Sequence, residues 1–421
     1  MYRFDRNCNN QAMVTMVITL FLFVLFAFLL RLMTRHPDTR LTIPELVAAF
    51  GFKVLMACAY GYVFLHYYGG DDTWALHKVS LQEWQLLFND PGQFFGDLTP
   101  AHAWQVAQGD TGFALRHYLD KLELHLPAKA LGIFNVISRG NYYANAVFFS
   151  FLTFWGHYWL FKLVTGAFPH KRRLWFLLIF FYPPVIFWLS GMRSDGLLFL
   201  FVSLLLLHAC RWIQDHKKSS LLYLLLGIAG VIIFRDVVIL LLAPALAAWF
   251  IAVRYDRRPL PVFLIAYGVS VLLFFGSTLF PGAFNFPSFI VARQQEFLAL
   301  HGNTRLPLDN LEPTAGSFLR ILPQAISNTF LRPFLWEARG LLQVMTALDM
   351  LLFWLLVALA VVWRKKDNSS GVPPLLWLLL FFGVSLYIFI GYVIPFPGAI
   401  VRYKVIPELF LLIVVGRQLR V

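Results

Sequence analysis

The residues of this chain best suited to chemistry are two adjacent carboxylates at the end of a long apolar run, in Tyr67–Trp74, read YYGGDDTW. Asp71 and Asp72 repel one another and lose hydration near a lipid boundary. One of them therefore tends to a raised pKa suited to proton abstraction, or the two hold a divalent cation such as Mg or Mn. Gly69 and Gly70 let the backbone turn sharply and admit a ligand closely. The competing reading is a polar helix stop at the water interface, since helices commonly end at Gly followed by polar residues.

Three later turns add cations. SGMRSDG carries Arg193 and Asp195, the stretch after Phe234 carries Arg235 and Asp236, and PGAIVRYK carries Arg402, Tyr403 and Lys404. Arginine binds oxygens two at a time and lysine adds a point charge, so such turns suit a phosphate or pyrophosphate. Locally, Arg193 with Asp195 and Arg235 with Asp236 can also neutralise each other. His66 and His77 flank the acidic pair and could join a metal site, but histidines at an aromatic interface are more often structural. Trp84, Trp104 and Trp336 could stack on a sugar ring or belong to an interfacial belt. The chain has no Walker loop, dinucleotide fingerprint, HExxH or GxSxG, which leaves nucleotide-driven pumping and ordinary zinc or serine hydrolysis without support.

What must position these residues is a membrane bundle. Of 421 residues, 59% are hydrophobic and only 14% charged, which excludes an ordinary soluble globule. The formal charge of +13 does not point to nucleic acid, because the basic residues fall mostly in short gaps between apolar runs, the positive-inside pattern. Cys8, Cys58 and Cys210 are odd in number and lack ligand spacing, so neither a disulfide framework nor a zinc site is expected. The first run follows Arg3 and Arg6 without a small-residue cleavage site and reads as a retained helix. Alternation of the charged gaps (Arg31, Arg35, Arg40; Lys171, Arg172, Arg173; Arg211, Lys217, Lys218; Arg254, Arg257, Arg258; Arg364, Lys365, Lys366; Arg417, Arg420) places spans at 12–32, 43–68, 141–166, 174–190, 196–213, 220–235, 237–254, 260–280, 341–363, 373–395 and 401–417. The expected fold is thus an all-α polytopic membrane protein of about eleven spans, read as one domain over 1–421, with the N-terminus outside. Lys53, inside the second span, is expected to extend to the inner interface rather than reach Glu45. The outer segments 71–140 and 281–340 are too long for simple connections. In the first, Leu81, Trp84, Leu87 and Phe88, then Leu115, Tyr118, Leu122 and Leu126, recur at helical spacing, so both segments are expected to carry amphipathic surface helices.

This layout resembles the GT-C glycosyltransferases, polytopic enzymes that use polyprenyl-phosphate sugars. Within that superfamily, YYGGDDTW, FWLSGMRSDGLL, FRDVVILLLAP, FLRPFLWE and VRYKVIP are similar to a bacterial branch akin to mannosyl- and arabinosyltransferase-like enzymes. The resemblance implies an active site at the outer face of a bacterial inner membrane and inverting transfer from a lipid-linked donor to a glycan, lipid or protein hydroxyl. It implies an acidic base, Asp72 or Asp71, and cations on the donor phosphate, Arg235, Arg402, Lys404 and Arg193. Asp195, Asp236, Tyr403, His77, Arg332 and Glu337 would support them. The chain departs from the Lys-Glu or Lys-Asp often found in the basic hairpin, reading Ser194-Asp195 with Arg193 one place earlier. Two other classes stay open: a transporter or flippase of a lipid-linked anionic glycan, and a non-catalytic assembly protein.

Overall fold

The computed structural model describes residues 2–34, 41–106, 111–280, 284–301, 304–363 and 372–419. Arg35, Arg40, Arg364, Lys365, Lys366 and Arg420 lie outside them. The described residues are helical with no strand, and the chain clusters into two compact units, Met1–Asp236 and Val237–Val421. Among the described residues, eight helices are long and apolar enough to cross a membrane.

The first unit comprises α1 (Tyr2–Met33), α2 (Ile43–Tyr68), α3 (Asp72–Asn89), α4 (Pro91–Gly96), α5 (Pro100–Val106), α6 (Thr111–Ser138), α7 (Tyr142–Ala167), α8 (Arg172–Phe181), α9 (Pro183–Trp188), α10 (Ser194–Asp215) and the first half of α11 (Lys218–Arg254). α2 begins in a capping box between Thr42 and Glu45. It ends where Gly69 adopts φ 70° and the Gly70 amide donates to the Phe64 carbonyl at 2.8 Å, a left-handed cap that glycine reaches without strain. The expected span 174–190 is not one helix. Tyr182-Pro183-Pro184 removes backbone donors in sequence and divides it into α8 and α9, each short of a bilayer.

The described residues of the first long loop are mostly helical. α3 and α6 run antiparallel, held by buried polar contacts: Glu83 accepts from Lys129 at 2.7 Å and pairs with His125 at 2.8 Å, and Asn135 donates to the Ser80 carbonyl at 3.1 Å. Gly132 lets the two backbones approach, since a Cβ there would lie 3.0 Å from Glu83.

α10 packs along α7 at Gly156, and α11 then returns antiparallel to α10. Gly227 meets Leu205, Phe201 stacks on Phe234, and Arg235 arrives beside Asp195. At Arg235 the helix leaves helical geometry (φ −169°, ψ 88°), so α11 is two helical segments joined at a kink.

The second unit holds the rest of α11, α12 (Pro259–Gly276), α13 (Phe286–Ala299), α14 (Ala315–Phe330), α15 (Leu341–Val362), α16 (Pro374–Val393) and α17 (Pro397–Gly416). Its long loop is ordered by Gln294, which is buried, donates to the Tyr392 carbonyl at 2.8 Å and accepts from the Leu311 amide at 2.8 Å. α17 carries Arg402, Lys404 and Glu408 and is too charged to count among the eight apolar helices.

Candidate active site

YYGGDDTW is the junction of two helices. The glycines stop α2, and the acidic pair starts α3. Asp71 caps α3 by accepting from the Thr73 amide at 3.0 Å. The turn is then pinned from three sides. Trp74 donates to the Gly61 carbonyl at 2.9 Å and stacks on Tyr142 at 4.0 Å, while the Thr73 hydroxyl meets that of Tyr142 at 2.8 Å. The backbone that presents Asp72 is therefore tied to α2 and α7.

Arg193, on the turn before α10, sits among the carboxylates. Its side chain is 6% exposed and donates to Asp71 Oδ2 at 2.6 Å, to the Tyr60 hydroxyl at 3.1 Å and to Asp72; its Nε lies 3.8 Å from Asp195. Asp195 pairs on its other side with Arg235 at 3.2 Å. Asp71, Asp72, Arg193, Asp195 and Arg235, expected from sequence as separate outer charges, thus form one cluster.

The two acids are not equivalent. The Asp71 side chain is 14% exposed and engaged by Thr73, Tyr60 and Arg193, whereas that of Asp72 is 75% exposed. Burial raises the Asp71 carboxyl above its ordinary value and outweighs the opposing pull of Arg193, the Thr73 amide and Tyr60; the charge on Asp72 adds to the rise. Burial alone would lower the Arg193 pKa, but Tyr60, Asp195, Asp72 and Asp71 together carry it higher, so the guanidinium stays charged. Asp72 is left as a solvent-facing carboxylate whose inner oxygen is fixed by a buried cation.

Sequence reasoning missed two members. Tyr60, buried on α2, bridges Asp71 and Arg193. Glu123, on α6, is hydrogen-bonded to Ser194 in the fields of Arg235 and Asp195, and burial raises its pKa. The signal for Glu123 was an acid between two leucines, Leu122 and Leu124, on the expected amphipathic helix ALRHYLDKLELHL, which also carries Asp120.

One expectation is corrected, that for Lys53, and two other candidates have defined partners. Arg193 was assigned to a donor phosphate, but its donors are directed to carboxylates. Lys53 neither reaches Glu45 nor extends to an interface: it is 1% exposed and donates to the Leu189 carbonyl at 2.9 Å, while Glu45 pairs with Arg172 at 2.6 Å. Asp71 and Asp72, the residues expected to hold a divalent cation, both accept from the Arg193 guanidinium. His77 is structural in its contacts, buried edge-on to Trp74 and Tyr142 with Asn145 at 3.4 Å; burial lowers its pKa to about 4. Asp236 follows Arg235 at the kink in α11.

The other candidates belong to the second unit. Lys404, expected from sequence at an anion, is fully buried, 3.3 Å from Asp349 and 3.5 Å from Glu408. Arg402 lies over the Tyr403 ring at 4.6 Å and donates to its hydroxyl at 2.9 Å. Arg332 pairs with Glu337 at 2.9 Å, and Trp336 is 80% exposed. Comparison of the chain with protein-family models, curated proteins and solved structures finds no match.

Proposed function

We propose that the first unit carries the catalytic cluster of an inverting glycosyltransferase that takes a sugar from a polyprenyl-phosphate donor at the extracytoplasmic face of a bacterial inner membrane. The observation that carries this reading is the asymmetry of the acidic pair: Asp72 exposed and held from behind by Arg193, Asp71 half-buried and engaged by Arg193, Tyr60 and the Thr73 amide. In the proposed step the acceptor hydroxyl oxygen attacks the anomeric carbon and its proton passes to Asp72. The bond from that carbon to the phosphate oxygen breaks, and the electron pair leaves with the polyprenyl phosphate. The transition state has oxocarbenium character, so proton removal is needed only late and positioning supplies much of the acceleration. Asp71 orients Asp72 through their shared guanidinium. Arg235, whose side chain is 18% exposed, is the cation of this unit best placed to meet the donor phosphate.

A second reading, movement of a lipid-linked anion, draws on a different observation. Lys404, Asp349 and Glu408 are charged groups buried within the helices of the second unit, a feature common where membrane proteins carry ions or protons. One experiment separates the two. In vesicles reconstituted with purified protein and a labelled polyprenyl-phosphate sugar, Asp72→Asn keeps size and hydrogen bonding but cannot accept the acceptor proton. Sugar transfer should fall by roughly 10²- to 10⁴-fold with an unchanged melting curve. Full transfer by Asp72→Asn rejects the catalytic assignment. Donor crossing the bilayer without transfer favours the second reading.

A further inference from the structure

The turn that presents Arg193 is built on one face of α2. Lys53 and Tyr60 lie about two helical turns apart on α2, so their side chains point the same way. Lys53 donates to the Leu189 carbonyl at 2.9 Å, at the end of α9. Tyr60 packs against Gly191, where a Cβ would stand 3.0 Å from the ring, and its hydroxyl meets Arg193 at 3.1 Å. Leu189, Ser190 and Met192 are fully buried. The short segment from Leu189 to Arg193 therefore has one grip at each end, both from α2.

The Lys53 grip is the unusual one. Leu189 closes a short helix, and its carbonyl has no following turn to supply an amide donor. The Lys53 amine answers that orphan acceptor as a hydrogen-bond donor. A buried amine without a carboxylate partner is costly to fold, and an apolar side chain would fill the same volume more cheaply. What lysine adds at this place is a directed contact to a turn whose fourth residue onward is Arg193, the group that holds both Asp71 and Asp72.

We propose that Lys53 is a positioning residue: by fixing the Leu189 carbonyl it sets the turn that holds Arg193 between Asp71 and Asp72, and so sets the orientation of the Asp72 carboxylate. The consequence for turnover rests on the catalytic reading above; the consequence for the turn does not.

The test is amide hydrogen exchange on the purified full chain in detergent, comparing the parent with Lys53→Met and with Lys53→Gln, which retains a donor. Lys53→Met should raise exchange in peptides covering 187–195 by about tenfold or more while leaving α7 and α10 protected, and Lys53→Gln should recover part of that protection. Transfer by Lys53→Met should lose kcat by about tenfold with little change in donor KM, because the base is misplaced while the binding surface is kept. Unchanged exchange at the turn in Lys53→Met, or protection lost evenly over α2, α7 and α10 in both variants, overturns the proposal. The two failures are distinguishable, because the exchange arm needs no substrate and the catalytic reading stands or falls on Asp72→Asn.

Discussion

At the scale of single residues, the acidic pair and its arginine are a coupled set, and the coupling makes testable demands. Arg193 is 6% exposed, so removing it leaves buried carboxylate without its cation. Arg193→Ala should cost about 3–5 kcal/mol in a denaturant titration of the detergent-solubilised protein, and Arg193→Lys should recover only part, since an ammonium cannot span Asp71 and Asp72 in two directions. Asp71 has the opposite sensitivity to charge. Its carboxyl is raised above the ordinary value of 3.8, so the folded state binds the proton more tightly than the unfolded one. The stability it contributes is present at low pH and is lost as pH rises through its folded value. Asp71→Asn should flatten that fall, seen as a smaller drop in Tm between pH 4 and neutrality; an unaltered profile would mean that Asp71 does not titrate across it. These carboxylates and Arg193 were legible in the sequence because charges are scarce in an apolar chain. Tyr60 was not, since one tyrosine among 17% aromatic residues offers no contrast and its partners lie in distant turns. The partners of Arg193 in the acidic pair were hidden for a related reason: a cation on a turn shows no distant carboxylates until the fold supplies them.

At the scale of elements, the site depends on two seams. The first is α3 against α7, where His77 is buried beside Trp74 and Tyr142. Burial holds its pKa near 4, below the ordinary 6.5, so the unfolded chain binds more protons between those values. Stability should therefore decrease as pH falls from 6.5 toward 4, by up to about 3 kcal/mol from this group. His77→Phe should remove that acid dependence in a pH series of melting curves, and an identical acid loss in His77→Phe would assign it elsewhere. The second seam is α10 against the first half of α11. At Gly227 a Cβ would meet the Leu205 backbone nitrogen at 2.8 Å. Gly227→Ala should push the helices apart at a cost of about 1–3 kcal/mol and move Arg235 from Asp195. Equal stability of Gly227→Ala and the parent would contradict this packing. Elements with strong apolar runs were legible. The expected eleven spans differ from the eight apolar helices because periodicity ignores what happens inside a run: prolines cut 174–190, α11 carries its kink without any proline at Arg235, and α17 buries charges that a hydropathy count treats as polar.

At the scale of the molecule, the proposed chemistry requires the YYGGDDTW turn to face away from the cytoplasm, an orientation expected from the charge pattern and open to direct test. Basic residues cluster at Lys171–Arg173, Arg211–Lys218 and Arg254–Arg258, whereas the segments 71–140 and 284–340 carry mixed charge. Cytoplasmic loops retain lysine and arginine, so the proposal expects the clusters on the inner side and the long segments on the outer one. Exposed positions in each allow a direct check in cells. With Cys8, Cys58 and Cys210 replaced, a cysteine at Gln93 in α4, or at Glu312 between α13 and α14, should react with a thiol reagent that cannot cross membranes. A cysteine at Ser219, at the start of α11, or at Asp256, after its end, should react only once the membrane is opened. Each unit is tested by its own pair of positions, Gln93 with Ser219 for the first and Glu312 with Asp256 for the second. Reaction at Ser219 in intact cells, with Gln93 protected, would turn the first unit over. The acidic pair would then face the cytoplasm, away from sugar acceptors at the cell surface, and the proposed reaction would fail with it.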